Sequence, residues 1–373
     1  MIAPSLLSRR ALLAALASPA LARAAAGPAE RLQRRALAFP ADFGAHPEEA
    51  RVEWWYITGA LADEARATYG FQVTFFRSRT DVPADQPSRF AAKQLVFAHA
   101  AVTDLGARRL RHDQRVARQG FGIAEAARGD TNVRLHDWTL ARGPQDGIYR
   151  SAIHSQAAGF AFELAIAPTQ APLRQGEAGW SRKGPRPDEA SLYYSEPQLA
   201  VSGRLALDQG RPRTVTGRAW LDHEWSDAYL APEAAGWDWI GMNLDDGSAL
   251  MAFRMRRRTP LAGGEVALWA GGSFRAQGSE SVRNFAPEEV RFEPLRLWRS
   301  PASQASYPVA WRVTTPAGVF EVRARLDDQE LDSRASTGAI YWEGLSDLLD
   351  AQGRRVGAGY LEMTGYAGVL RVG

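Results

Sequence analysis

Asp222, His223 and Glu224 are consecutive in the stretch AWLDHEWSDAYL, residues 219–230, with Trp220 and Trp225 on either side. If this stretch is a β-strand, successive side chains point to opposite faces. Trp220, Asp222 and Glu224 then share one face, and Leu221, His223 and Trp225 share the other. Two carboxylates about 7 Å apart on one desolvated face repel each other as anions. At least one then holds its proton at neutral pH, which is what a general acid requires. The competing assignment is an ion-pair network. Arg77, Arg79, Arg254 and Arg256 sit on comparable segments and could neutralise both carboxylates inside the fold. His223, on the opposite face, would hydrogen-bond to a neighbouring element.

Other reactive chemistry is sparse. There is no cysteine, so disulfides, thiolate ligands and thiol nucleophiles are absent. The six histidines, His46, His99, His112, His136, His154 and His223, show no close metal-ligand spacing, so no metal is expected unless distant strands assemble a site. No nucleophile elbow, phosphate-binding loop or dinucleotide glycine fingerprint occurs, and no cofactor is implied. Aromatic residues beside acids recur instead: Glu53-Trp54-Trp55-Tyr56, Tyr193-Tyr194-Ser195-Glu196, Trp237-Asp238-Trp239, Tyr341-Trp342-Glu343 and Tyr360-Leu361-Glu362. Aromatic walls with a few polar groups suit a cavity for an apolar ligand. The same residues also serve as ordinary core. Trp54, Trp55, Tyr56, Tyr193, Tyr194, Trp220, Trp225, Trp237 and Trp239 are the candidate ligand-binding set.

The elements that must position these residues read as strands. Short alternating segments separated by Gly, Asp, Asn and Pro run from about residue 40 onward, the pattern of a sandwich or barrel. Phe71-Gln72-Val73-Thr74-Phe75 alternates, as does Phe320 to Leu326, so each should bury one face and wet the other. A short helix is expected only near Glu343 to Asp350. The hairpin-like run from Trp54 to Arg79 recurs in form from Trp237 to Arg256: an aromatic strand, a turn, then an alternating strand ending in arginines. We read this as a duplicated β-domain with its junction near 226–236. Residues 168–187, rich in Gly, Pro, Gln and Arg, form a long loop, either a lid over a site or a plain connection.

The first 26 residues carry Arg9 and Arg10, a short apolar run and small residues around Ala24-Ala25-Ala26, the form of a twin-arginine export signal. A periplasmic or secreted location follows as the expectation. That segment also holds three arginines and no acid, so the formal net charge of +3 falls to zero without it. With no basic–aromatic interleaving elsewhere, nucleic acid is not an expected partner.

Taken in order, Glu53-Trp54-Trp55-Tyr56, Leu192-Tyr193-Tyr194-Ser195, Trp220 to Trp225, Gly236-Trp237-Asp238-Trp239, Tyr341 to Gly344 and Gly359 to Tyr366 resemble the AttH-like/carotenoid 1,2-hydratase (hydroxyneurosporene synthase) family over roughly residues 40–370. The resemblance implies an all-β chain of two tandem lipocalin-like antiparallel β-barrel domains, here 38–226 and 233–373, after the signal at 1–26. It implies an apolar, lipid- or isoprenoid-like ligand. In the hydratases a carboxylic acid protonates a double bond and water captures the carbocation. By resemblance Asp222 would be that acid, with His223 and Glu224 tuning or orienting it. Many exported members are described as secreted hydrolases or accompany ABC-type permease systems, so a ligand carrier is the rival expectation.

Overall fold

The structure, a computed structural model, describes residues 32–228, 230–261 and 266–368; the expected export signal lies outside them. Among the described residues there are strands and two short 3-10 turns but no α-helix. The chain forms two antiparallel sheets, one of 13 strands within residues 52–226 and one of 10 strands within 234–364. The first sheet curls until Gln94–Asp104 packs against the short strands Ala124–Ala126 and Asn132–Leu135, which nearly closes a barrel.

The two sheets repeat one arrangement. In the first, strand Val52–Asp63 pairs with its hairpin partner Thr68–Arg79 on one side and with the closing strand Arg213–Ser226 on the other. In the second, Ala234–Leu244 lies between Ala249–Arg257 and the closing strand Arg355–Thr364. The two aromatic hairpins seen in the sequence therefore occupy equivalent places, and the break between sheets falls between Ser226 and Ala234.

Alternation sends Trp55, Ile57, Phe71, Val73 and Phe75 into the first barrel, where they pack with Leu221 and Trp225. The second barrel is filled by its own cluster, including Ile240, Trp311, Trp342 and Leu361. The polar faces do not all meet water as expected. Gln72 and Thr74 are each only 1 % exposed, because the outer face of this hairpin packs against the second sheet. The Phe320 segment behaves as expected: in strand Gly318–Ala324, Val322 is buried and Arg323 exposed.

Two further expectations need correction. Glu343 to Asp350 is not a helix; strand Ala339–Leu349 runs through it, paired with the second closing strand. The segment 168–187 is not a plain loop. It carries strands Leu173–Arg174 and Trp180–Arg182, both paired with Ala190–Leu207. The Gln175 side chain bonds Ser195 of the first sheet at 2.8 Å and Ser273 of the second at 2.7 Å, so the segment straps the two sheets together.

Candidate functional site

The strand register fixes what surrounds the acidic stretch. Asp222 lies opposite Tyr56 on one side and Ser195 on the other; Glu224 lies opposite Trp54 and Tyr193. Asp222 is buried and accepts three hydrogen bonds: from Tyr193 Oη at 2.7 Å, Ser195 Oγ at 2.6 Å and Trp220 Nε1 at 2.7 Å. Glu224 accepts from the Ser191 hydroxyl and pairs with Lys183 Nζ at 3.0 Å. None of the arginines expected as partners reaches either group. Arg77 binds Glu53, and Arg254 and Arg256 bind Asp238. Burial pushes the Asp222 carboxyl up to about 7, against its three hydrogen bonds, and the charge of Glu224 adds only a smaller push. Desolvation, not like-charge repulsion, is thus the main cause.

Asp222 and Glu224 face a cavity of about 120 Å³ between the outer surfaces of the two barrels. An engineered apolar cavity of about 150 Å³ takes a benzene ring, so this space suits one ring-sized or prenyl-sized group. Trp54, Tyr56, Tyr193, Trp237 and Trp239 line it, five of the nine expected ligand-binding aromatics. Trp220 is buried behind them, bonded to Asp222 and edge-on to Trp239.

Besides Trp220, four expected residues do not line this space. Trp55, Tyr194, Trp225 and His223 sit one position out of phase, so alternation turns them into the first barrel. His223 stacks on Trp55 with ring centroids 4.6 Å apart, meets Tyr194 Oη at 3.1 Å and bonds Glu53 Oε1 at 3.0 Å. It cannot orient Asp222. Burial lowers its pKa against the pull of Glu53.

His46, Glu53 and His223 each offer one ligand atom within 4.8 Å of the others, brought from distant segments as a metal site would be. They are the described residues that could hold an ion. Their geometry is that of a hydrogen-bonded ion network, however. Glu53 Oε1 lies 2.7 Å from His46, and Glu53 Oε2 accepts from the fully buried Arg77 at 2.8 Å. Burial opposes ionisation of Glu53, yet the bonds from His223 and His46 and the charge of Arg77 hold it well below the usual range. Although burial works the other way, the Asp42 and Glu53 bonds push His46 up to about 9. A guanidinium against the central carboxylate disfavours a divalent cation there.

The far wall carries groups that the sequence reading passed over as site residues. Glu343 and Glu362 lie directly opposite each other on neighbouring strands and line the cavity, as do Lys183, His99 and Phe253. Burial, then the charge of Glu362, push the Glu343 carboxyl well up; burial pushes Glu362 up to about 7. Both glutamates stand inside the aromatic–acid clusters of the sequence, the one signal that marks them. Lys183 lies 4.5 Å from the ring centres of Tyr193 and Phe253.

Against known proteins, the AttH-like family model matches residues 30–366. The chain belongs to the AttH-like family. A crystal structure assigned as an AttH from Nitrosomonas europaea is 47 % identical, with a TM-score of 0.80 over 89 % of this chain and 98 % of that one. Kievitone hydratase from Nectria haematococca shares the fold at 14 % identity, with a TM-score of 0.67 over 89 % of this chain and 94 % of that one. No curated protein sequence matches the chain.

Proposed function

We propose that this AttH-like protein binds an apolar small molecule in the cavity between its barrels and that Asp222 protonates a double bond of that ligand. The observation that carries the reading is the Asp222 carboxyl, raised to about 7 by burial, at the wall of an aromatic-lined space. An acid that keeps its proton near neutrality can deliver it where no bulk water competes. The proton passes from the carboxyl to one alkene carbon, and the adjacent carbon becomes a carbocation. The faces of Trp54 and Trp239 stabilise positive charge through their ring quadrupoles. Water then adds to the cation and its released proton returns to Asp222, so alkene plus water gives alcohol with the acid regenerated.

The reaction is that of a hydro-lyase acting on an isoprenoid-like chain end, and it needs no cofactor. Kievitone hydratase supports the reading only as a hydratase built on a related fold. Export through the twin-arginine route and ligand hand-over by an ABC-type permease belong to the same proposal. A carrier role without turnover is the second reading, and it is favoured by the three hydrogen bonds that hold Asp222 in place.

Incubation with an acyclic isoprenoid in 18O-labelled water separates the two. The hydro-lyase reading expects labelled alcohol from the native protein and about a hundredfold or greater loss in Asp222→Asn. No labelled product from the native protein, alongside a co-purifying apolar ligand by mass spectrometry, would leave only the carrier.

A further inference from the structure

The second acidic pair of the cavity has fewer partners than the first. Glu343 and Glu362 face each other across adjacent strands, an arrangement that costs stability when both are charged. Asp222 has three donors and Glu224 has Ser191 and Lys183, whereas neither carboxylate oxygen of Glu343 makes a hydrogen bond of ordinary length and angle, the Tyr56 hydroxyl being the donor beside it. The side chain is nonetheless 97 % buried, at 3 % exposure, and borders the cavity. A buried polar group left poorly partnered is destabilising, which a core would avoid by placing an apolar residue there.

The surroundings indicate what would partner it. Tyr56 and Tyr341 flank Glu343, and Trp237 and Trp239 stand by Glu362, so π faces and carboxylates converge on one space. The chain already places a cation in this setting. The Lys183 ammonium lies over two rings with Glu224 at 3.0 Å, at the wall shared with Tyr193. Glu343 and Glu362 offer a second setting of the same composition, with no cation of the chain bonded to either in the ion pairs of the described residues.

We propose that the Glu343–Glu362 wall binds the positively charged nitrogen of an organic cation whose apolar body lies against the aromatic side of the cavity. This rests on the reading of the inter-barrel cavity as a ligand site and narrows its ligand to an alkylammonium or similar cation. The cation supplies the charge that the facing carboxylates lack, and desolvated rings add cation–π attraction.

The test uses the full chain, with benzyltrimethylammonium and its neutral carbon isostere neopentylbenzene as probes, followed by tryptophan fluorescence, since Trp54, Trp237 and Trp239 line the space. The cation is expected to bind about tenfold or more tighter than the isostere. Glu343→Gln with Glu362→Gln should cut that preference severalfold, to what the rings alone supply, while the isostere still binds. Glu362→Gln alone, at the half-buried member of the pair, should reduce the preference and serves if the double variant does not fold. Equal affinities in the native protein, or a preference unchanged in both variants, overturn the proposal while leaving the cavity a site for neutral ligands. Binding of neither probe removes the cavity reading itself, and the proposal with it.

Discussion

At the scale of residues, Asp222 carries the clearest pH signature. Its carboxyl titrates near 7 in the folded chain against an ordinary value of 3.8, so the folded state holds the proton more tightly than the unfolded one. Stability contributed by this group is therefore full below the ordinary range and falls as pH rises from about 4 to about 7. Asp222→Asn removes the ionisation but keeps an acceptor for Ser195 and Trp220. Relative to the native protein, the variant should gain stability from pH 4 to pH 7 and then level off. Denaturation midpoints at the two ends of that range check it; a difference that is the same at both would show that Asp222 does not titrate there. The acidic stretch itself was legible in the sequence, because the period of 2 alone separates Asp222 and Glu224 from His223. Its environment was not. The donors Tyr193 and Ser195 lie about thirty residues away, and only the strand register shows that they, rather than arginines, meet Asp222.

At the scale of elements, strand Ala234–Leu244 shows how one small residue shapes the site. Gly241 leaves room for the Trp239 ring, and a Cβ there would lie 2.3 Å from that ring and 3.1 Å from Trp220. Gly241→Ala should cost about 1–3 kcal/mol, because both rings are buried and must shift to admit the Cβ. It should also weaken binding of an aromatic probe by displacing Trp239 from the cavity wall. A thermal melt with a probe titration tests both, and native affinity in the variant would mean that Trp239 does not define the wall. The strand Ala339–Leu349 shows where element reading from sequence fails. Leu345, Leu348 and Leu349 carry helix-like spacing, yet the pairing register shifts between Leu348 and Leu349. That irregularity puts two buried leucines in succession and breaks the alternation by which the other strands were recognised. The misreading also hid Glu343, which faces the cavity only because its segment is a strand.

At the scale of the whole molecule, the sequence conveyed the duplication but not how the halves meet. Two alternating hairpins suffice to suggest two barrels. The burial of Gln72 and Thr74 depends on the second sheet covering them, and no local pattern encodes that. The strap at Gln175 is part of the join, with one buried amide bonded to both sheets. Gln175→Ala leaves Ser195 and Ser273 short of a partner and should cost about 1–3 kcal/mol. Because the proposed ligand space lies between the bodies, the same variant should loosen probe binding while each barrel core stays intact. Unchanged affinity in a destabilised variant would detach the cavity from the join.

Each barrel has its own side-chain core, and the cavity that Asp222 and Glu224 face lies outside both. A single barrel that carries its ligand in the lumen must change strand number, shear or core volume to admit a larger guest. A guest in the cavity proposed here would be held as if between two closed hands. Small changes in how the bodies are spaced, made in the strap or the 227–233 connection, would alter which molecules fit. Neither core would need repacking, so relatives could diverge in ligand while remaining superimposable barrel by barrel.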